Sequence, residues 1–188
     1  VQPDSLEARE LRAQLYTSMG QLEKALADLQ SLRESLPDNP DVLLQIAGVL
    51  QALGRSREAI ASYDGVLRLD PRRGAAYLGR GDTLLAMGQQ AQAADSYEDA
   101  LTLLPHDSSA RNNLAWILAT SPDDELRDGK RAVELATAAC RASEVQRADY
   151  LSKLAAAYAE QGDFDAAIDW TDTALAAAKS LELQAEIR

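Results

Sequence analysis

The sequence predicts an all-α fold, a solenoid of antiparallel helix pairs, and three observations predict it. Gly20, Gly54 and Gly88 recur at a step of 34 residues, and Pro37, Pro71 and Pro105 recur at the same step. Ala25, Ala59 and Ala93 keep that step too. The chain is rich in alanine and leucine with only 5% aromatics, a composition that favours helices over sheets. Two helices of roughly 14 residues and two short turns use about 34 residues, the period of a helical repeat.

The first unit is expected over 6–39, with Asp4 and Glu7 as a capping arrangement and Leu22, Leu26, Leu29 and Leu32 as a stripe on its second helix. Arg9 and Arg12 stand where bulky apolar residues are usual, as suits the end of a solenoid or a junction to a preceding repeat. The second unit, 40–73, begins with Asn39 as cap and Pro40 in the first turn. Ile46, Val49, Leu50 and Leu53 face inward, met by Ile60, Tyr63, Val66 and Leu67. The third unit, 74–107, repeats the pattern with Tyr77, Leu84, Leu85 and Met87 against Ala93, Tyr97, Ala100 and Leu101.

The fourth unit, 108–147, departs from the period. Ala132 follows Ala93 by 39 residues, so five are inserted near 121–129. Ser121 and Pro122 read as a stop and a fresh cap, which makes the insertion a compact turn, either solvated over a packed Leu126 or presented as a contact surface. The fifth unit, 148–180, restores the pattern through Leu154, Tyr158, Gly162, Phe164, Ile168 and Leu175, with Trp170 near the last helix as a seal for the end. No Gly or Pro ends its last helix, so 181–188 reads as a helical extension, in which Leu181, Leu183 and Ile187 either cover the end of the stack or fray as a terminus does. The whole of 1–188 reads as one domain. Its start at Val1 and stop at Arg188 read as a piece of a longer protein, with targeting segments outside it.

Small residues form two columns, Ala13, Ala47, Gly81, Ala115 and Ala155 on the first helices and Ala25, Ala59, Ala93, Ala132 and Ala167 on the second. They allow paired helices to approach closely. Tyr16, Leu50, Leu84, Leu118 and Tyr158 fill the space between neighbours. These columns resemble the tetratricopeptide repeat (TPR) family over nearly the whole chain. The segments NNLAWILATSPDDELRDGKRAVELATAAC and YAEQGDFDAAIDW resemble a variant pair seen in bacterial TPR proteins. The resemblance implies a right-handed superhelix whose first helices line a concave groove for a peptide or helix. It implies a soluble bacterial protein, in the cytoplasm or the periplasm.

On that implied geometry the groove columns include Glu10 and Gln14, Leu44 and Gln51, Leu78 and Asp82, Asn112, Asn113 and Trp116, and Ser152. Leu78 and Trp116 would offer apolar contact, and Asn112 and Asn113 would bond a partner's backbone. Trp116 is open to two readings, an interface anchor or a residue packed over the alanine-rich fourth and fifth units. The clamp that chaperone-binding TPR proteins use for a terminal carboxylate needs lysine and asparagine. Here Glu10, Gln14, Gln45, Ala75 and Gly79 occupy its positions, so the resemblance does not extend to that clamp.

Catalytic chemistry finds little footing. His106, the sole histidine, lies in an inter-unit turn, and Cys140 lies on an inner helix stripe with Val133, Ala136 and Ala139. Asp123, Asp124, Glu125 and Asp128 lack the turning glycine of a calcium loop and sit beside Arg127 and Lys130, so they read as a solvated turn with no metal. No phosphate loop or cofactor motif occurs; Gly79 and Gly81 belong to helix packing. A net charge of −11 disfavours nucleic acid and anionic membranes, and no apolar run is long enough to span a bilayer. The expectation is a non-catalytic interaction scaffold. The alternative is a structural spacer or a module that associates with its own copies.

Overall fold

The computed structural model describes residues 5–142 and 148–186, with side chains to residue 180. Among these residues there are ten helices and no strand. They are α1 (Leu6–Ser18), α2 (Leu22–Ser35), α3 (Pro40–Ala52), α4 (Ser56–Leu69), α5 (Gly74–Ala86), α6 (Gln90–Leu103), α7 (Ser108–Thr120), α8 (Gly129–Ala142), α9 (Ala148–Gln161) and α10 (Phe164–Glu186). The chain forms two compact units, Val1–Ser96 and Tyr97–Arg188, and the division falls within α6.

Local chemistry sets the helix ends. Gly20, Gly54, Gly88 and Gly162 all have φ between 70° and 87°, the left-handed region that glycine enters without steric penalty. At Gly54 the chain reverses through bonds from Gly54 N–H to Gln51 O and from Arg55 N–H to Leu50 O, both 2.9 Å, which satisfy the last carbonyls of α3. Asn39 caps α3 by accepting from Asp41 N–H at 2.9 Å and Val42 N–H at 3.2 Å, with Pro40 in the first turn. Ser5 caps α1, accepting from Ala8 N–H at 3.2 Å. The expected Asp4 lies outside the described residues.

In the first unit α1 packs on α2, α2 on α3, and α4 on both α3 and α5. Its core gathers Leu26, Leu29 and Leu32 of α2, Ile46 and Leu50 of α3, and Tyr63 and Val66 of α4. Arg12 reaches across to the nearly buried Asp28 of α2 with two hydrogen bonds, 2.7 Å from Nε and 2.6 Å from the second guanidinium nitrogen. That contact explains an arginine at a position where the second unit has Ile46; the third unit also has an arginine there, Arg80. The Arg12 contact holds the Asp28 carboxyl below its ordinary pKa against the opposing effect of burial.

In the second unit α7 packs on α8 and α9, and α9 on α10. Leu154 joins Ala115 and Ala136 at the core, with Leu135, Cys140, Tyr158 and Trp170 packed around them. Every member of the two small-residue columns is buried, from Ala13 to Ala155 and from Ala25 to Ala167. Cys140 is only half-buried, and its thiol is pushed up by that burial and then by Asp149.

The 121–129 segment folds back as a turn. Asp128 N–H donates to Leu118 O at 2.9 Å, and Arg127 donates to Ser121 O and to Glu160, each at 2.9 Å. A Cβ on Gly129 would stand 2.6 Å from Gln161 N, so the turn seats directly on the end of α9. Leu126 is half-buried beneath it.

On α10, Phe164, Ile168 and Leu175 keep the repeat pattern but are 66%, 60% and 55% exposed. The matching positions of α4 and α8, Ile60 and Val133, are half-buried in helices that a further helix follows, whereas none follows α10 among the described residues. The extension continues as helix to Glu186; Ile187 lies outside the described residues.

Candidate functional site

The first-helix face of the first unit is built from α1, α3 and α5. Gln14, Thr17 and Ser18 of α1 and Gln45, Gly48 and Val49 of α3 line a hollow of about 570 Å³. Its floor is open because Gly48 carries no side chain and nothing lies within 4 Å of where its Cβ would be. The lining offers the amides of Gln14 and Gln45, able both to donate and to accept, and two hydroxyls, of Thr17 and Ser18, which donate to Ala13 O and Leu15 O and can still accept.

Next along this face, Tyr63 of α4 threads between α3 and α5. A Cβ on Gly79 would stand 2.3 Å from the Tyr63 ring, so the ring fills the space that a side chain there would need. The Tyr63 hydroxyl donates to Gln51 Oε1 at 2.7 Å. Burial, followed by the charge of Asp82, pushes the phenol up to about 12.

Of the predicted residues in this unit, Glu10, Gln14 and Asp82 are exposed, while Leu78 and Gln51 are half-buried. Leu44 is half-buried and packs against the core, so part of its surface is already covered. The structure thus brings Gln14 to the hollow and Gln51 to Tyr63. Ser18 lines the hollow without having stood out in the sequence; only its helical spacing from Gln14 marks it. Val49, expected to face inward, is buried and borders the hollow from α3.

In the second unit the corresponding residues have different fates. Trp116 is 36% exposed on α7. Asn113 is tied on both sides: its Nδ2 donates to the Tyr97 hydroxyl at 3.2 Å, and its Oδ1 accepts from Lys153 Nζ at 2.8 Å. Asn112 is corrected outright. It is 2% exposed, because α9 lies along α7 with Tyr150 reaching Ser109 at 3.4 Å, and so it cannot meet a partner's backbone. Its Oδ1 has no hydrogen-bond partner among the described residues. Ser152 is exposed and lines a separate hollow of about 490 Å³ with Ala156 of α9 and Phe164 and Ile168 of α10.

No cluster of three or more His, Cys, Asp or Glu suited to a metal occurs among the described residues. The acidic turn is occupied in its own bonding: Asp123 accepts from Glu125 N–H at 3.0 Å, Asp128 caps α8 through Arg131 N–H at 2.9 Å, and Asp124 pairs with Arg127. His106 is exposed, with its Nδ1 3.4 Å from Arg111. No helix among the described residues is long and apolar enough to cross a membrane.

Paired helices, glycine reversals and buried alanine columns define a class of helical-repeat protein. Two profiles, both of the tetratricopeptide repeat, match residues 44–108 and 78–126 and residues 151–185, together more than half of the chain. The chain belongs to the tetratricopeptide repeat family. No curated protein matches the sequence. Among solved structures it is similar to MamA, residues 41 to the end, from Desulfovibrio magneticus RS-1, at 21% identity and a TM-score of 0.81 over 94% of this chain and 97% of that one. It is also similar to YrrB, described as a TPR protein with an unusual peptide-binding site, at 20% identity and a TM-score of 0.76 over 100% and 94%. The first TPR of Spaghetti (RPAP3), bound to the HSP90 peptide SRMEEVD, matches at 22% identity and a TM-score of 0.58 over 62% of this chain and 93% of that one. At these identities the likeness is one of fold.

Proposed function

We propose that this chain is a non-catalytic interaction scaffold that holds a peptide or helix of another protein on its first-helix faces. The observation that carries this reading is the open hollow at Gly48, lined by Gln14, Thr17 and Gln45. The peptide-binding descriptions of YrrB and RPAP3 support it by analogy of fold. The lysines of a carboxylate clamp are missing at Glu10, Gln14, Gln45, Ala75 and Gly79, so a terminal carboxylate is not the expected ligand. We read the chain as five repeats acting as one domain, 6–39, 40–73, 74–107, 108–147 and 148–180. Peptide affinity in the micromolar range, about −8 kcal/mol, suits such a site.

The test is Gly48→Tyr. The new side chain enters open space on a helix and leaves the core alone. A partner captured by the natural chain and lost by this variant, at unchanged thermal stability, supports the reading. A partner held equally by both moves the interface elsewhere.

The second reading, a spacer or self-associating module, draws on a specific feature. Leu11, Leu15 and Met19 of α1 are 65%, 57% and 57% exposed, and α10 exposes Phe164, Ile168 and Leu175. Light scattering across a concentration series separates the two, because self-association raises the mass with concentration.

A further inference from the structure

The first unit sorts its charges between the two sides of its first helices. Helices α1, α3 and α5 carry three cations, Arg9, Arg12 and Arg80. Each is turned toward second helices. Arg12 grips Asp28 of α2, and the charge of Arg9 acts on the same carboxylate. Arg80 reaches Asp64 of α4 at 3.2 Å and Ser96 of α6 at 3.1 Å, with its guanidinium 5.2 Å from the Tyr77 ring centroid.

The opposite side carries the reverse balance. Gln14, Gln45 and Gly48 line the hollow, Gln51 meets Tyr63, and Glu7, Glu10 and Asp82 are exposed on α1 and α5. No lysine or arginine of these three helices lies there. Asp41, at the start of α3, is paired with Arg73. The face is therefore an uncharged hollow with carboxylates on the flanking helices. Its potential attracts cations and repels anions, and neutral amides remain to pair with a peptide backbone.

We propose that this face receives an extended peptide segment carrying lysine or arginine, with its backbone held at Gln14 and Gln45 and its cationic side chains drawn to Glu7 and Glu10. The proposal rests on the groove reading above and adds the chemistry of the ligand. Charge complementarity fixes the choice: an acidic segment would place carboxylates beside carboxylates with no cation of α1, α3 or α5 on that face.

Three labelled peptides of equal length test it by fluorescence anisotropy on the whole chain: one rich in lysine and arginine, one in glutamine and serine, one in glutamate. The basic peptide is expected to bind tightest, and to weaken as salt rises. The double variant Glu7→Lys, Glu10→Lys is expected to weaken it by about tenfold or more. The exposed Glu34 of α2 serves as control, and Glu34→Lys is expected to leave binding unchanged. Equal binding of all three peptides, or preference for the acidic one, overturns the charge selection. So does an equal loss in Glu34→Lys, which would reduce the effect to the chain's net charge of −11. Gly48→Tyr separates the two readings: if it abolishes binding of a neutral peptide that binds as well as the basic one, the groove stands and the charge selection falls. Binding of no peptide by the natural chain overturns both.

Discussion

Replacing Gly79 by alanine tests the packing beneath the candidate face. Glycine inside a helix ordinarily costs about 0.5–1 kcal/mol relative to alanine, so the substitution should stabilise an unconstrained helix. At Gly79 the new methyl would stand 2.3 Å from Cζ and Oη of Tyr63 and 2.6 Å from Cε1, distances at which something must move. Tyr63 is only 4% exposed, with its hydroxyl engaged by Gln51, so it has little room to yield. Overpacking of this kind costs about 1–3 kcal/mol, and losing the hydroxyl bond adds roughly 0.5–1.5 kcal/mol. After the propensity gain, Gly79→Ala should destabilise by about 1–3 kcal/mol. Urea unfolding followed by circular dichroism measures it. The same substitution in a Tyr63→Leu background removes the ring and should become neutral or stabilising. An equal cost in both backgrounds, or a gain in the natural one, would refute the account of Tyr63 threading past Gly79.

Three further outcomes are expected. Gly48→Ala, into open space at an ordinary helical conformation, should stabilise by roughly 0.5–1 kcal/mol, whereas Gly54→Ala, forced to φ 73°, should destabilise by about 1 kcal/mol; paired thermal melts show the opposite signs. Arg12→Met should cost about 1–3 kcal/mol near neutrality by stranding Asp28. Because the Asp28 pKa is depressed below 3.8 in the fold, the contribution of this pair is present above that value and is lost as pH falls through the folded pKa, so urea midpoints of the two proteins should converge in acid. Tyr63, raised from 10.0 to about 12, should ionise above the ordinary phenol range in an absorbance titration compared with Tyr63→Phe. The unfolded chain gives up that proton first, so its contribution to stability is full below pH 10 and declines toward pH 12, and Asp82→Asn should lower the Tyr63 value.

The candidate site was only partly legible in the sequence. Gln14 lines the hollow and Gln51 meets Tyr63, places on their helices that follow from the repeat period. Asn112 shares that period, yet α9 covers it; residue type and spacing do not tell how far a neighbouring helix spreads. Nothing in the spacing of Arg12 marks Asp28, sixteen residues on, as its partner. Gly79 read as general helix packing, but its contact is with one ring, Tyr63.

By itself the sequence determined the helical class, the period, the reversals at Gly54 and its counterparts, and the cap at Asn39. These depend on φ preferences, side-chain capping and small-residue spacing, all of which act within a few residues. It also determined the two alanine columns, since each must be small wherever paired helices meet. Only the tertiary structure decided which polar residues stay open. It joined Asn113 to Tyr97 and Lys153, turned Arg9, Arg12 and Arg80 away from the hollow at Gly48, and left Phe164 and Ile168 uncovered. Those outcomes depend on which helix lies alongside and how far its side chains reach, and that is settled by packing between segments distant in the chain.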